Sequence, residues 1–204
     1  MFVHQFVHVL NYGDAISGEA IAIKRLLEQQ GIRCNIYCVH HHEKVKEYAS
    51  DISEFSTFFE EDSDEHCILL HYSIASSLND LYAKQKSAKK ALLYHNLTPV
   101  SWFLPYNARV AEDLKVGHKE LPELLSISDI VLADSTYNKS ELEALGCSSC
   151  EVLPLPIDQK KWGINSNNGI AKVLSSNGCK NFLHVGRLAP NKCCLLYTSD
   201  AADE

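Results

Sequence analysis

The chain has 204 residues, is 46% apolar and 22% charged, and carries a formal net charge of −7 at pH 7. This is the composition of an ordinary soluble globular protein, long enough for one full core and part of a second. The acidic balance and the lack of any basic stripe argue against a nucleic-acid partner, and no apolar stretch approaches the length of a transmembrane helix.

Phe2–Leu10 is an apolar run interrupted by His4, Gln5 and His8, with no basic segment ahead of it, so it reads as a strand and not a signal peptide. Asn11-Tyr12-Gly13-Asp14-Ala15-Ile16-Ser17-Gly18 follows, a short glycine-bearing loop before a helical pattern. A strand, a glycine loop and a helix in succession aim free backbone N–H groups at an anion. Gly13 can take a positive φ and let the backbone approach a ligand, and Ser17 is placed to cap the helix. Glu19 suits the helix dipole but would repel a phosphate. Helical spacing of Ala20, Ile23, Leu26 and Leu27 predicts a helix over Glu19–Gln30, stopped by Gly31.

Cys34–Val39 is a short apolar strand, and His40-His41-His42 reads as a polar loop, since three consecutive side chains cannot face one ion. Residues 43–65 are acidic and poorly periodic. Asp62-Ser63-Asp64 has a spacing that some nucleotide-sugar enzymes use for a metal, but it lies in a charge run that reads as a solvated loop. Cys67–His71 predicts a strand, Ile74–Lys84 a helix, and Lys84–Lys90 a solvated basic face. Ala91–Tyr94 predicts a strand ending at His95-Asn96-Leu97-Thr98-Pro99. Asp113–Leu125 reads as a helix interrupted by Gly117 and Pro122. Asp129–Ala133 is a strand, Ser135 caps a helix over Tyr137–Leu145 closed by Gly146, and Val152–Leu155 is a last strand.

This alternation predicts an α/β, Rossmann-like, doubly wound parallel sheet. Ligands of such sheets sit at the carboxyl ends of strands, which is where Gly13, His95 and Ser135 fall. The eight cysteines are unsystematically placed, and Cys147-Ser-Ser-Cys150 has no partner pair at zinc-ribbon spacing. No metal site is therefore expected, and a reducing, cytoplasmic setting fits the thiols, with peripheral membrane association left open. Residues 158–180 have linker composition with one short helix at Ile170–Leu174. Asn181–Val185 opens a new strand, followed by Gly186-Arg187-Leu188-Ala189-Pro190-Asn191-Lys192.

Phe182-Leu-His-Val-Gly-Arg-Leu-Ala-Pro-Asn-Lys192 resembles the opening of the donor domain in GT-B retaining glycosyltransferases of family GT4. Tyr12-Gly-Asp-Ala-Ile-Ser17 is similar to that family's glycine loop. Tyr94-His-Asn-Leu-Thr-Pro99, Ala133-Asp-Ser-Thr-Tyr-Asn138 and Val152-Leu-Pro-Leu-Pro-Ile-Asp158 follow in the family's order. The resemblance implies an acceptor-side Rossmann-like domain over residues 1–157, a linker over 158–180, and the first strand and loop of a donor-binding domain over 181–193. Residues 194–204 look like the translation of a sequencing-library adaptor, so the chain is expected to be a truncated gene product with a non-native tail.

The resemblance further implies sugar transfer from a nucleotide-diphosphate sugar to a glycan, lipid-linked or small-molecule acceptor, with retention, without a metal and without a separate cofactor. In it Arg187 and Lys192 hold the donor diphosphate, Gly13 approaches it from the opposite wall, and His95 stands near the donor sugar as the catalytic candidate. Asp14 and Ser135 would line the same cleft. The alternatives are a GT-B nucleotide-sugar epimerase and a non-enzymatic α/β nucleotide-binding module. The fragment alone is expected to be inactive.

Overall fold

The computed structural model describes residues 1–58, 65–157, 168–176, 178–181 and 189–192. Its first compact unit, Met1–Leu155, is built on seven strands: β1 Phe2–Leu10, β2 Arg33–His41, β3 Ala49–Ser50, β4 His66–Tyr72, β5 Lys89–Tyr94, β6 Ile130–Ala133 and β7 Glu151–Val152. All pair in parallel, in the order β3-β2-β1-β4-β5-β6-β7. The helices between them are α1 Ala15–Gln29, α2 Ile52–Phe58, α3 Ser77–Lys84, α4 Ala108–Ser126 and α5 Thr136–Ala144. This is the Rossmann-like doubly wound sheet expected for the N-terminal half of a GT-B architecture. The strand order reverses between β1 and β4, and α/β sheets bind ligands beyond the carboxyl ends at such a reversal.

Both sheet faces are covered, so the central strands are apolar on both sides. One face packs Phe6, Tyr37, Phe55, Leu70, Tyr72, Leu92 and Leu114 into the larger core. The other buries Val7, Leu10, Ala20 and Ile36 in one cluster and Val3, Cys34, Leu69 and Leu93 in another. Alternation along β1 divides these sets, with Phe6 facing one way and Val7 the other.

Several expected boundaries move, each for a physical reason. Helix α1 begins at Ala15, and its cap is Asp14, not Ser17. Asp14 is extended and its Oδ2 accepts the Ser17 N–H at 3.1 Å, while Ser17 lies buried inside the first turn with its Oγ accepting the Asn11 N–H at 2.8 Å. We expect Asp14→Ala to cost about 1 kcal/mol in urea unfolding, the usual loss of an acidic cap. No change in the midpoint would mean that another group holds that N–H.

Strand β2 runs on to His41, so two of the three consecutive histidines end a strand and only His42 starts the next turn, capping Lys44 N at 3.1 Å. The acidic, poorly periodic stretch after β2 holds a 3-10 helix over Glu43–Tyr48, then β3 and α2. Phe55 of α2 anchors it, with its ring against Phe6 at 4.8 Å and Tyr37 at 5.3 Å between centroids. The DxD-spaced Asp62 and Asp64 lie outside the described residues.

Helix α4 is continuous through Gly117 and Pro122. Gly117 is there for space: a Cβ would come within 3.1 Å of Ala75 N and 3.2 Å of Leu97 Cδ2, and the Tyr72 hydroxyl donates to the Gly117 carbonyl at 2.6 Å. Strand β5 begins at Lys89, and Lys90 within it is buried, not solvated. Its Nζ donates to the Ala83 carbonyl at 3.2 Å and its backbone N–H donates to Asp129 at 2.7 Å. The last strand of this unit is β7, earlier and shorter than expected, with Leu153 N still donating to Ala133 O at 2.9 Å.

The second compact unit starts at Pro156. Its described parts include α6, Asn168–Ser176, which covers the expected short helix, and a 3-10 turn over Pro190–Lys192. Asn181 Nδ2 donates to the Leu174 carbonyl at 2.7 Å beyond the end of α6. The strand expected over Asn181–Val185 falls largely outside the described residues.

Candidate functional site

The carboxyl edge of the first unit is assembled from four places in the chain. After β1, Gly13 takes φ +79° with open space where a Cβ would stand, so the loop needs glycine for its backbone and not for packing. Asp14, next to it, fills the N-terminus of α1 with its own carboxylate, the position a bound anion would otherwise take. After β4, Ser76 caps α3 through Leu78 N, and its hydroxyl meets His8 Nδ1 of β1 at 3.0 Å. After β5, the chain turns at Asn96, the one non-glycine residue with positive φ among the described residues, at +72°. Asn96 is held there by hydrogen bonds from its Nδ2 to Glu141 at 2.7 Å and Asn138 at 3.2 Å. After β6, Asp134 precedes Ser135, and Ser135 caps α5 as the sequence predicts, its Oγ accepting the Asn138 N–H at 3.2 Å.

His95 stands at the centre of this edge, and its ring is almost fully enclosed, with 1% of the side chain exposed. Nε2 lies 3.0 Å from Nδ1 of His71, the two rings stacked nearly parallel with centroids 5.2 Å apart. Nε2 of His71 meets Oε1 of Gln5 at 2.8 Å. On its other side, His95 Nδ1 faces Oε2 of Glu19 at 3.5 Å and Oδ2 of Asp134 at 3.6 Å. A chain of polar side chains from β1, β4, α1 and the residues that follow β5 and β6 thus runs along the sheet face that also buries Val3, Val7, Leu69 and Leu93.

The electrostatics follow from burial. Glu19 is pushed up to about 7, first by loss of solvent and then by Asp134. His71 is driven well below the ordinary histidine range by burial and then by His95. Asp134 is the member that reaches the surface, with 15% of its side chain exposed.

Glu19, His71 and His95 offer nitrogen and oxygen atoms within 4.8 Å of one another, the one such group among the described residues. Both nitrogens of His71 are already in hydrogen bonds, however, which leaves two free donors, too few for a closed metal site. Cys147 and Cys150 make no part of such a group; Cys150 is buried and its thiol is pushed up by burial.

The structure places Gly13 and Asp14 after β1, His95 after β5, and Ser135 beside Asp134 after β6, all at the carboxyl ends of strands. Lys192 lies exposed in the second unit, at the end of the 3-10 turn, and Arg187 lies outside the described residues. Sequence reading missed Glu19, His71, Gln5 and Asp134. A glutamate placed one turn into a helix whose apolar positions surround it, and a glutamine and histidine within apolar strands, were the available signals.

No protein-family model matches the chain, and no curated protein sequence matches it. Solved structures do. An alpha-glucosyltransferase in complex with UDP and a 13-mer DNA containing a HMU base aligns with a TM-score of 0.53 and 13% identity, over 78% of this chain and 43% of that one. An alpha-glucosyltransferase with UDP-glucose and DNA containing an abasic site gives 0.53 and 12%, over 77% and 43%. A third, in complex with UDP, gives 0.51 and 12%, over 77% and 44%. The likeness is one of fold, and the chain spans less than half the length of these structures.

Proposed function

We propose that the parent protein is a glycosyltransferase that moves a sugar from a nucleotide-diphosphate donor to an acceptor, and that this chain supplies its acceptor-side domain. The observation that carries the reading is the convergence of the Gly13 loop, His95 and the Asp134–Ser135 turn on the carboxyl edge of an all-parallel sheet. The matched glucosyltransferases hold UDP or UDP-glucose, and the motifs from Tyr12 to Lys192 support the finer assignment to retaining transfer of the GT4 type.

Arg187 and Lys192 neutralise the departing nucleoside diphosphate, which removes the need for a metal at that step. His95 acts from within the sheet, through Asp134, the member of its network that reaches the surface. Two of the matched structures carry DNA. The net charge of −7 favours instead a glycan, lipid-linked or small-molecule acceptor here.

The test is transfer of labelled sugar from UDP-, GDP- and ADP-linked donors by the parent protein extended past Lys192, with the anomeric configuration of product read by NMR. Retained product supports the reading. A free epimerised nucleotide sugar would identify an epimerase, and donor binding without turnover a binding module. Residues 1–204 alone are expected to show no turnover, because both walls of the cleft must position the reacting groups. Turnover by that chain would overturn the two-domain reading.

A further inference from the structure

The hydrogen bonds behind His95 have one consistent direction. Gln5 Nε2 donates to the Ala20 carbonyl at 3.0 Å and the Cys34 sulfur at 3.2 Å, so Oε1 is the atom that meets His71. A carbonyl oxygen only accepts, so Nε2 of His71, 2.8 Å away, carries a hydrogen. Burial keeps His71 neutral, which leaves its Nδ1 as a lone pair. His95 Nε2, 3.0 Å from that lone pair, is then the donor, which in the neutral ring makes Nδ1 the acceptor.

That acceptor faces two carboxyl groups at 3.5 and 3.6 Å. Acceptors facing one another in a dry site, with no hydrogen between them, are strongly unfavourable. Asp134 reaches the surface, and its Oδ1 already takes the Asn138 Nδ2 hydrogen at 2.5 Å. Glu19 is different: both of its oxygens are buried without a hydrogen-bond partner, as is Nδ1 of His95. A shift of about half an ångström brings a Glu19 oxygen into good hydrogen-bond range of that nitrogen.

We propose that Glu19 is a positioning residue for His95: its carboxyl donates to Nδ1, and this hydrogen bond holds the ring in the orientation that faces Asp134. The consequence for transfer rests on the glycosyltransferase reading; the proton itself does not. The groups facing the shared proton are Glu19 from α1, His95 after β5 and Asp134 after β6, with His71 of β4 behind His95.

The sign is fixed by the direction of the Glu19 shift. Its carboxyl is raised from 4.5 to about 7 in the folded chain, so the stability it contributes is fully present below 4.5 and is lost as pH rises through about 7. Glu19→Gln places a permanent N–H donor at the same position, and Glu19→Ala removes the donor.

The experiment is NMR of the chain of 204 residues with labelled glutamate carboxyls and histidine rings. One carboxyl is expected to titrate near pH 7, well above the others, and to vanish in Glu19→Gln. His95 is expected to carry its hydrogen on Nε2, toward His71, in the chain and in Glu19→Gln, with a hydrogen bond to Nδ1 that is absent in Glu19→Ala. In the parent protein, kcat should fall as pH rises through about 7, with that transition absent in Glu19→Gln. Glu19→Ala should lower kcat on the order of tenfold with little change in the KM for donor, the scale of a misplaced group.

A Glu19 carboxyl that titrates with the other glutamates, or a Glu19→Gln variant that keeps the transition, overturns the proposal. If the carboxyl and tautomer results hold while the parent transfers no sugar, the proton link stands and the transferase reading falls.

Discussion

Arg187→Ala in the parent protein is expected to lower kcat about a hundredfold or more, the scale of removing one strong charge-stabilising contact. A guanidinium offers a planar fork that can hold two phosphate oxygens at once, and Lys192, five residues on in the chain, would add a point charge. In the proposed function both would meet a leaving group whose negative charge grows through the reaction, so they should matter more in the transition state than in the ground state. Arg187→Lys should recover only part of the rate, because it restores charge without the fork. The measurement is initial rate against donor concentration, with folding checked by circular dichroism. A normally folded Arg187→Ala protein that turns over like the parent would remove Arg187 from the proposed diphosphate clamp. Cys147→Ser, by contrast, should leave turnover almost unchanged, since Cys147 lies next to β7 and away from the carboxyl edge.

The largest stability effect is expected from Phe6→Ala. Phe6 is fully buried in the middle of β1, in register with Tyr37 of β2 and Leu70 of β4. Its ring meets Phe55 edge-on at 4.8 Å and Tyr37 edge-on at 6.1 Å, so truncation opens a cavity where α2 is pinned to the sheet. The expected loss is about 3–5 kcal/mol, a large share of the typical 5–15 kcal/mol of a domain. The urea midpoint should fall without a change in the slope that reports exposed surface. Leu26→Ala, on the outer face of α1 with 59% exposure, should stay within about 0.5 kcal/mol. Equal effects from the two would mean that Phe6 does not organise the core.

The frame was legible because strands and helices buried on a sheet need apolar residues at fixed periods. Phe2–Leu10, Cys67–His71 and Ala91–Tyr94 announce themselves by continuous apolar character, and α1 by its three-and-four spacing. The segment from Glu43 to Phe58 was not legible. A six-residue 3-10 helix, a two-residue strand and a seven-residue helix are each too short to repeat a period, and they persist because Phe55 docks between Phe6 and Tyr37. Pro122 misled in the opposite direction: a proline late in a 19-residue helix removes one N–H, and the packing of Leu114, Leu121 and Leu124 outweighs that loss.

The sequence by itself determined the parallel α/β frame, the glycine loop after the first strand, and the strand-end positions of His95 and Ser135, because each depends on local pattern and chain order. Only the tertiary structure decided what His95 touches. Glu19, His71 and Asp134 lie 76, 24 and 39 residues from it in the chain, and nothing in their spacing marks them as partners. Their meeting depends on which face α1 turns to the sheet and on the register that sets β4 and β6 either side of β5. Burial then does what no sequence pattern states. It raises the proton affinity of a carboxyl that would be ionised in water, and so changes the chemistry available at the strand ends.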